Sequence, residues 1–169
     1  MRVWLGLGSN LGDRVAALQT AIDALAPEGV RVDAVSPVYE TAPQDLDDQP
    51  AFLNAVVRAV TDLDPPRILA AAKRVERAAG RDGSGVRYGP RALDVDLLVW
   101  EGGAVTSTDP DLVIPHARLA QRRFALVPLA DLEPGLVLPD GRPIAVLLAR
   151  LDVASQPVTR TAHPLTPPA

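Results

Sequence analysis

The chain of 169 residues contains no cysteine. That excludes disulfides, thiolate nucleophiles and cysteine-ligated metal sites. Lysine is almost absent too, since Lys73 is the only one. Any binding of phosphate must therefore rely mainly on arginine. Phe, Tyr and Trp together supply only six residues, so an aromatic ring beside a candidate motif carries weight. Excess positive charge is missing: the net charge of −4 argues against nucleic-acid binding by bulk electrostatics. The apolar run from Val3 to Leu7 is too short for a signal peptide or a membrane span. A cytoplasmic, monomeric protein that binds neither nucleic acid nor membrane is the expectation. The length suits one domain with a sizeable core, and no internal repeat is visible.

What is present is concentrated in Tyr88-Gly89-Pro90-Arg91-Ala92-Leu93-Asp94-Val95-Asp96-Leu97-Leu98. The residues from Leu93 to Trp100 are mostly branched and apolar, which predicts a buried strand. Residues i and i+2 of a strand share a face, so Asp94 and Asp96 should stand side by side, roughly 6–7 Å apart. Two like charges on a buried face need a neutralising partner. Magnesium is suited to this, because it takes one or two carboxylates and completes its shell with water and phosphate oxygens. Arg91, three residues before Asp94, is placed to meet the same phosphates. The plain alternative is that one carboxylate caps the loop and the other pairs with an arginine.

The remaining pattern is that of an α+β domain. Arg2 to Gly8 reads as a strand. Asp13 precedes Val15, Leu18, Ile22 and Leu25, whose spacing marks an amphipathic helix ending near Pro27. Val30 to Glu40 reads as a second strand and Ala51 to Thr61 as a third, joined by a proline-bearing loop. Asp64-Pro65-Pro66 starts a helix that Gly80 ends. Arg81 to Arg91, with Gly83, Gly85, Gly89 and Pro90, reads as a mobile loop. The aspartate strand, a turn at Gly102-Gly103 and a helix over 119–132 follow. A short strand near Val137 and a helix over 144–151 complete the domain, 1–153. The proline- and threonine-rich segment 154–169 lacks periodicity and reads as a disordered tail. Strands two and three have no helix between them. The sheet should therefore be mainly antiparallel, a ferredoxin-like α+β sandwich with helices packed on it.

Three further features bear on function. Gly6-Leu7-Gly8-Ser9-Asn10-Leu11-Gly12 follows a strand and opens a helix. Its third glycine is one residue late for a dinucleotide fingerprint, and it lacks the Gly-Lys-Ser/Thr of a P-loop. It reads as a tight turn shaped by glycine, with Ser9 and Asn10 available to hold a neighbouring loop. Phe52 and Asn54 share a strand face. A ring that stacks beside an amide that reads an edge suits a flat heterocycle, although such a pair taken alone is more often a core Phe beside a buried, satisfied Asn. Pro115-His116 leads toward Arg122, Arg123 and Phe124. A lone histidine is usually structural, but near arginines and paired carboxylates it becomes a candidate for a phosphate hydrogen bond.

Six segments now fall into one pattern: Gly8-Ser9-Asn10-Leu11-Gly12-Asp13, Ser36 to Pro43, Gln49 to Asn54, Glu76 to Arg81, Gly89 to Asp96, and Pro115-His116 with Arg122 to Phe124. In this order and spacing they closely resemble the 6-hydroxymethyl-7,8-dihydropterin pyrophosphokinases of folate biosynthesis. The resemblance runs from about Val3 to about Leu151. It implies transfer of the diphosphoryl group of ATP to the hydroxymethyl oxygen of the pterin, giving AMP. It implies two Mg²⁺ ions on Asp94 and Asp96, with Arg81 and Arg91 as catalytic cations. The pterin would lie between Phe52 and Phe124, read by Asn54 and bordered by Thr41, Pro43, Gln44 and Tyr88. ATP would meet Lys73, Glu76, Arg87, Arg91, Leu97, His116 and Arg122. Lys73, Gly83, Tyr88 and Ala117 depart from residues common in the family. Phosphoryl-type transfer depends mainly on positioning and charge neutralisation, so no covalent nucleophile is required. A different metal-dependent nucleotidyl transferase and a non-catalytic ligand-sensing domain on the same fold are the competing readings.

Overall fold

In the computed structural model, residues 1–43, 48–80 and 92–169 are described. The first strand, β1 (Arg2–Ser9), is central because its alternating residues are buried on both faces. Helix α1 (Arg14–Leu25) begins where Asp13 accepts from the Ala16 amide at 3.0 Å, and it buries Leu18, Ala21, Ile22 and Leu25. The expected second strand divides into β2 (Arg31–Val35) and β3 (Tyr39–Thr41). Pro37 has no amide to donate, so the ladder breaks there. The Ser36 hydroxyl and amide meet the Val56 amide and carbonyl instead, both at 2.9 Å. Strand β4 (Phe52–Val60) pairs with β1, β2 and β3. Helix α2 (Pro65–Ala78) starts as expected, with Asp64 accepting from Arg67. Strand β5 (Asp94–Trp100) pairs with the other edge of β1.

Every ladder in the sheet is antiparallel, in the order β5-β1-β4-β3 with β2 also on β4. Side chains alternate across it. On one face Leu5, Leu7, Leu53, Ala55, Val57, Val95 and Leu97 join α1 and α2 in the larger core. Fully burying a leucine or isoleucine of this kind contributes roughly 1.5–3 kcal/mol. On the other face Trp4, Val56 and Leu98 meet α3 (Arg123–Leu132) and α4 (Ile144–Ala149).

Further expectations are corrected. The helix expected over 119–132 is a 3₁₀ turn (Leu119–Gln121) and then α3, separated by an extended Arg122 with φ −120° and ψ 100°. A hairpin of β6 (Val105–Thr108) and β7 (Asp111–Ile114), not foreseen, forms its own small sheet and returns the chain to His116. The segment 154–169, expected to be disordered, carries β8 (Val158–Arg160), which extends the main sheet by pairing with β3. Its residues are also bound elsewhere: Thr161 donates its amide to Val38, and Thr166 exchanges two hydrogen bonds with Gln19. Periodicity failed to reveal this segment because a three-residue edge strand is held by its neighbour, not by burial of its own side chains. Near Val137 there is a single bridge to Pro143 in place of a strand.

Candidate active site

The register of the three central strands assembles the site. Gly8 lies opposite Asn54 on β4 and opposite Asp94 on β5; Gly6 lies opposite Val56 and Asp96. All six positions share the sheet face that α3 covers only in part. Without side chains at 6 and 8, the middle of this face becomes the floor of a cavity of about 290 Å³. A methyl group at Gly8 would come within 3.1 Å of the Asn54 amide oxygen, and one at Gly6 within 3.4 Å of Leu98. Gly6 and Gly8 therefore do not shape a tight turn, as expected from sequence; they are strand residues, and only Gly12, with φ +63°, sits in the turn. Asn10 does hold the neighbouring loop, donating to Gln49 at 3.0 Å and to the Pro50 carbonyl at 3.1 Å. Arg14 adds a bond to the Ala51 carbonyl at 2.9 Å. These contacts fix the entry to β4 and so the place of Phe52.

One end of the cavity is lined by aromatic rings and an amide. Phe52, Phe124, Thr41 and Asn54 line it. Asn54 is buried and donates to the Thr41 hydroxyl at 2.6 Å, which fixes the amide plane. The other end is charged, lined by Asp94, Asp96, Lys73, His116 and Arg122. Arg122 stands 3.8 Å from Asp96, with its guanidinium 5.4 Å from the centre of the Phe124 ring. It thus touches both ends. Burial, aided by the charge of Asp94, pushes the Asp96 carboxyl up to about 7. Burial, aided by Arg122, pushes His116 down to about 4. His116 is therefore neutral at pH 7. Its Nδ1 accepts from the Arg118 amide at 3.1 Å, leaving the Nε2–H as a donor.

Two residues expected as nucleotide contacts do not line this cavity. Glu76 on α2 is buried beneath β5, where it accepts from the Val95 amide at 2.8 Å and from Lys73 at 3.0 Å. Burial raises its pKa, opposed by that amide and by Lys73. Glu76 braces the peptide between the two aspartates, and Lys73 is the member of the pair that lines the cavity. Leu97 is in the core on the opposite face, and Leu98 lines the cavity in its stead. Pro43 is half-buried, just past Thr41 and Ala42, which do line it. Gln44, Arg81, Arg87, Tyr88 and Arg91 lie outside the described residues. Gly6, Gly8, Leu98 and Arg118 join the site without having been foreseen. The glycine signal was available as a period-two pattern within a strand.

The carboxylate pair suits a metal of a particular kind. Among the described residues no group of three or more acidic, histidine or cysteine side chains could enclose an ion. Asp96 is nevertheless held well above its ordinary range beside Asp94. A cation that brings most of its own ligands, as Mg²⁺ does with waters and phosphates, fits this donor set.

An antiparallel sheet with one face only partly covered, and on that face a slot between aromatic rings beside paired carboxylates and a largely buried arginine, defines a small-molecule phosphoryl-transfer enzyme. The model of the 7,8-dihydro-6-hydroxymethylpterin-pyrophosphokinase family matches residues 4–134, and the chain belongs to that family. It is 44% identical over 152 residues to the 2-amino-4-hydroxy-6-hydroxymethyldihydropteridine pyrophosphokinase of Methylorubrum extorquens, covering 89% of this chain and 94% of that one. It is 43% identical to the protein of the same description from Pseudomonas aeruginosa, covering 88% and 90%. A mitochondrial folate synthesis bifunctional protein of Arabidopsis thaliana is 45% identical over 130 residues, but the match spans only 23% of its length. In the fold, the chain superposes on the crystal structure of wild-type Plasmodium falciparum HPPK-DHPS with a TM-score of 0.66. That match has 15% identity and covers 88% of this chain and 44% of the other.

Proposed function

We propose how this chain performs the reaction of its family. It is an ATP-dependent pyrophosphokinase of folate biosynthesis, moving the diphosphoryl group of ATP to the hydroxymethyl oxygen of 6-hydroxymethyl-7,8-dihydropterin and releasing AMP. The observation that carries the assignment of roles is the cavity in which Asn54 and Asp94 flank Gly8. It joins a slot for a flat ring to a site for charge within one hydrogen-bonded row.

In this reading Phe52 and Phe124 stack on the pterin, and Asn54, fixed by Thr41, reads its edge. Asp94 and Asp96 would hold two Mg²⁺ ions, which would supply charge neutralisation for the triphosphate. Arg122 contacts the phosphates from the pterin side, its guanidinium over the Phe124 ring. A neutral His116 donates a hydrogen bond to a phosphate oxygen without adding charge. Lys73 supplies a cation to the same end, anchored through Glu76. Arg81 and Arg91 add positive charge to the polyphosphate. The chain has no cysteine, and direct transfer between the two substrates needs no covalent intermediate, since positioning and electrostatics supply most of such catalysis. No helix among the described residues is long and apolar enough to cross a membrane. A monomer working in the cytoplasm is our reading of where and how it acts.

The test is AMP release from ATP, followed with and without 6-hydroxymethyl-7,8-dihydropterin. Pterin-dependent AMP formation, stoichiometric with the pterin diphosphate, is expected. AMP formed at the same rate without pterin refutes the acceptor assignment, and no AMP in either case refutes the reaction.

A further inference from the structure

Helix α3 begins without a cap of its own. Arg122 precedes it in an extended conformation and makes no side-chain capping bond. Gln156, 33 residues further on, accepts from the Arg123 amide through Oε1 at 3.0 Å. Its Nε2 donates to the Gln121 carbonyl at 3.1 Å. One amide side chain thus closes on the residue before Arg122 and the residue after it. The Arg123 guanidinium returns a bond to the Gln156 carbonyl at 2.6 Å. Gln156 is itself delivered by a turn in which Asp152 accepts from the Ala154 and Ser155 amides at 3.2 and 3.0 Å. Two residues later the chain enters β8, where Val158 pairs with Thr41. The same segment therefore pairs with Thr41 on one wall of the slot and, through Gln121 and Arg123, brackets Arg122 on the other.

We propose that Gln156 is a positioning residue for Arg122 and that the C-terminal segment ties the two walls of the slot together. An extended residue between a 3₁₀ turn and a helix has several backbone conformations within reach. Gln156 selects one by satisfying a donor that the helix start leaves open and an acceptor at the end of the 3₁₀ turn. That conformation lays the Arg122 side chain between Asp96 and the Phe124 ring. A shift of about an ångström in such a group is enough to slow a positioned reaction. The inference rests on the reading of Arg122 as a phosphate contact, and the experiment separates the two.

Gln156→Met keeps length and removes both hydrogen bonds; Gln156→Glu keeps the acceptor only. Each is made alone and together with Arg122→Ala, and single-turnover diphosphoryl transfer is measured at saturating ATP, Mg²⁺ and pterin, with the melting temperature of every sample. Gln156→Met should slow transfer on the order of tenfold, with Gln156→Glu between it and the parent, as coupling within one hydrogen-bonded network usually allows. In the Arg122→Ala background the same change should cost almost nothing. An equal loss in both backgrounds overturns the proposal, because a merely structural cap acts independently of Arg122. So does a normal rate in a Gln156→Met sample that melts early. If Arg122→Ala transfers at the parental rate, the phosphate-contact reading fails and the positioning role fails with it. If Arg122→Ala is slow and Gln156→Met is not, only the positioning role fails.

Discussion

Asp96→Asn should make the ligand-free protein more stable while abolishing its activity. Burial and the neighbouring charge of Asp94 push the Asp96 carboxyl from 3.8 up to about 7, even though Arg122 opposes the shift. Between those two values the folded chain binds more protons than the unfolded one. Stability therefore falls as pH rises from about 4 through about 7 and is lowest above that range. A shift of this size corresponds to at most about 4 kcal/mol at pH 8. The side chain is 29% exposed, so solvent screening reduces the figure to about 1–2 kcal/mol. Asparagine mimics the protonated acid and removes the penalty at every pH. For a chain of this length the melting temperature at pH 8 should rise by about 2–8 °C. His116 has the opposite sign: its folded value near 4 lies below its unfolded one, so it costs stability as pH falls below about 6.5. Comparing variant with parent at each pH cancels that contribution. The assay is thermal unfolding from pH 5 to pH 8, repeated with Mg²⁺ and a non-hydrolysable ATP analogue. The variant's margin should shrink as pH falls from 7 toward 4. Bound Mg²⁺ should stabilise the parent more than the variant, because a cation favours the ionised pair. A variant no more stable than the parent at pH 8, or a margin that is the same at pH 5, refutes the reasoning.

Other perturbations address the remaining parts of the site. Phe52→Ala should weaken pterin binding by about 1–3 kcal/mol, the range for loss of aromatic stacking on a base, with little change for ATP; equal weakening of both, measured by equilibrium titration, would make Phe52 a core residue. Gly8→Ala places a methyl group 3.1 Å from the Asn54 amide oxygen, so it should raise the pterin Kd at least severalfold while the melting temperature changes little. A normal pterin affinity in that variant would show that the Asn54 amide is not fixed. Chelation should abolish AMP formation and added Mg²⁺ should restore it, whereas turnover in a metal-free buffer would remove Asp94 and Asp96 as metal ligands. Arg91→Ala should lower kcat about 10²-fold or more, as loss of a preorganised electrostatic donor does, and an unstable fold with a normal single-turnover rate would reduce Arg91 to a structural partner of Asp94.

The elements that carry the site were legible because their burial is periodic and their starts are capped. Phe52, Asn54, Val56 and Arg58 alternate with the core residues of β4, and Asp94 and Asp96 do the same on β5. Asp13 and Asp64 cap their helices as their positions announce. What escaped were features whose meaning depends on a neighbour. Val105 to Thr108 is too polar to read as a strand until β7 folds back on it, and Val158 to Arg160 is too short until β3 pairs with it. The burial of Glu76 is not announced by its likeness to nucleotide contacts, yet its spacing carries that information. It stands four residues after Ala72 and eight after Ile68, on the apolar stripe of α2, so its carboxylate had to be buried and partnered.

The two glycines of β1 show most clearly why a motif can be seen and still be misunderstood. A glycine pair after a strand suggests a phosphate loop, because glycine is usually there for its backbone freedom. Gly6 and Gly8 are ordinary strand residues, and what they contribute is the absence of a side chain at two points of one face. Trp4, two residues earlier on that face, is covered by the second core. Had leucines followed it at 6 and 8, that core would have continued to the edge of the sheet and filled the space between Asn54 and the aspartates. The cavity is thus an interruption of a hydrophobic face. Its walls are residues such as Asn54, Asp94 and Asp96, which would otherwise be costly to bury. Sequence alone shows the glycines and the polar residues as separate oddities in three strands; only the register, with Gly8 between Asn54 and Asp94, makes them one site.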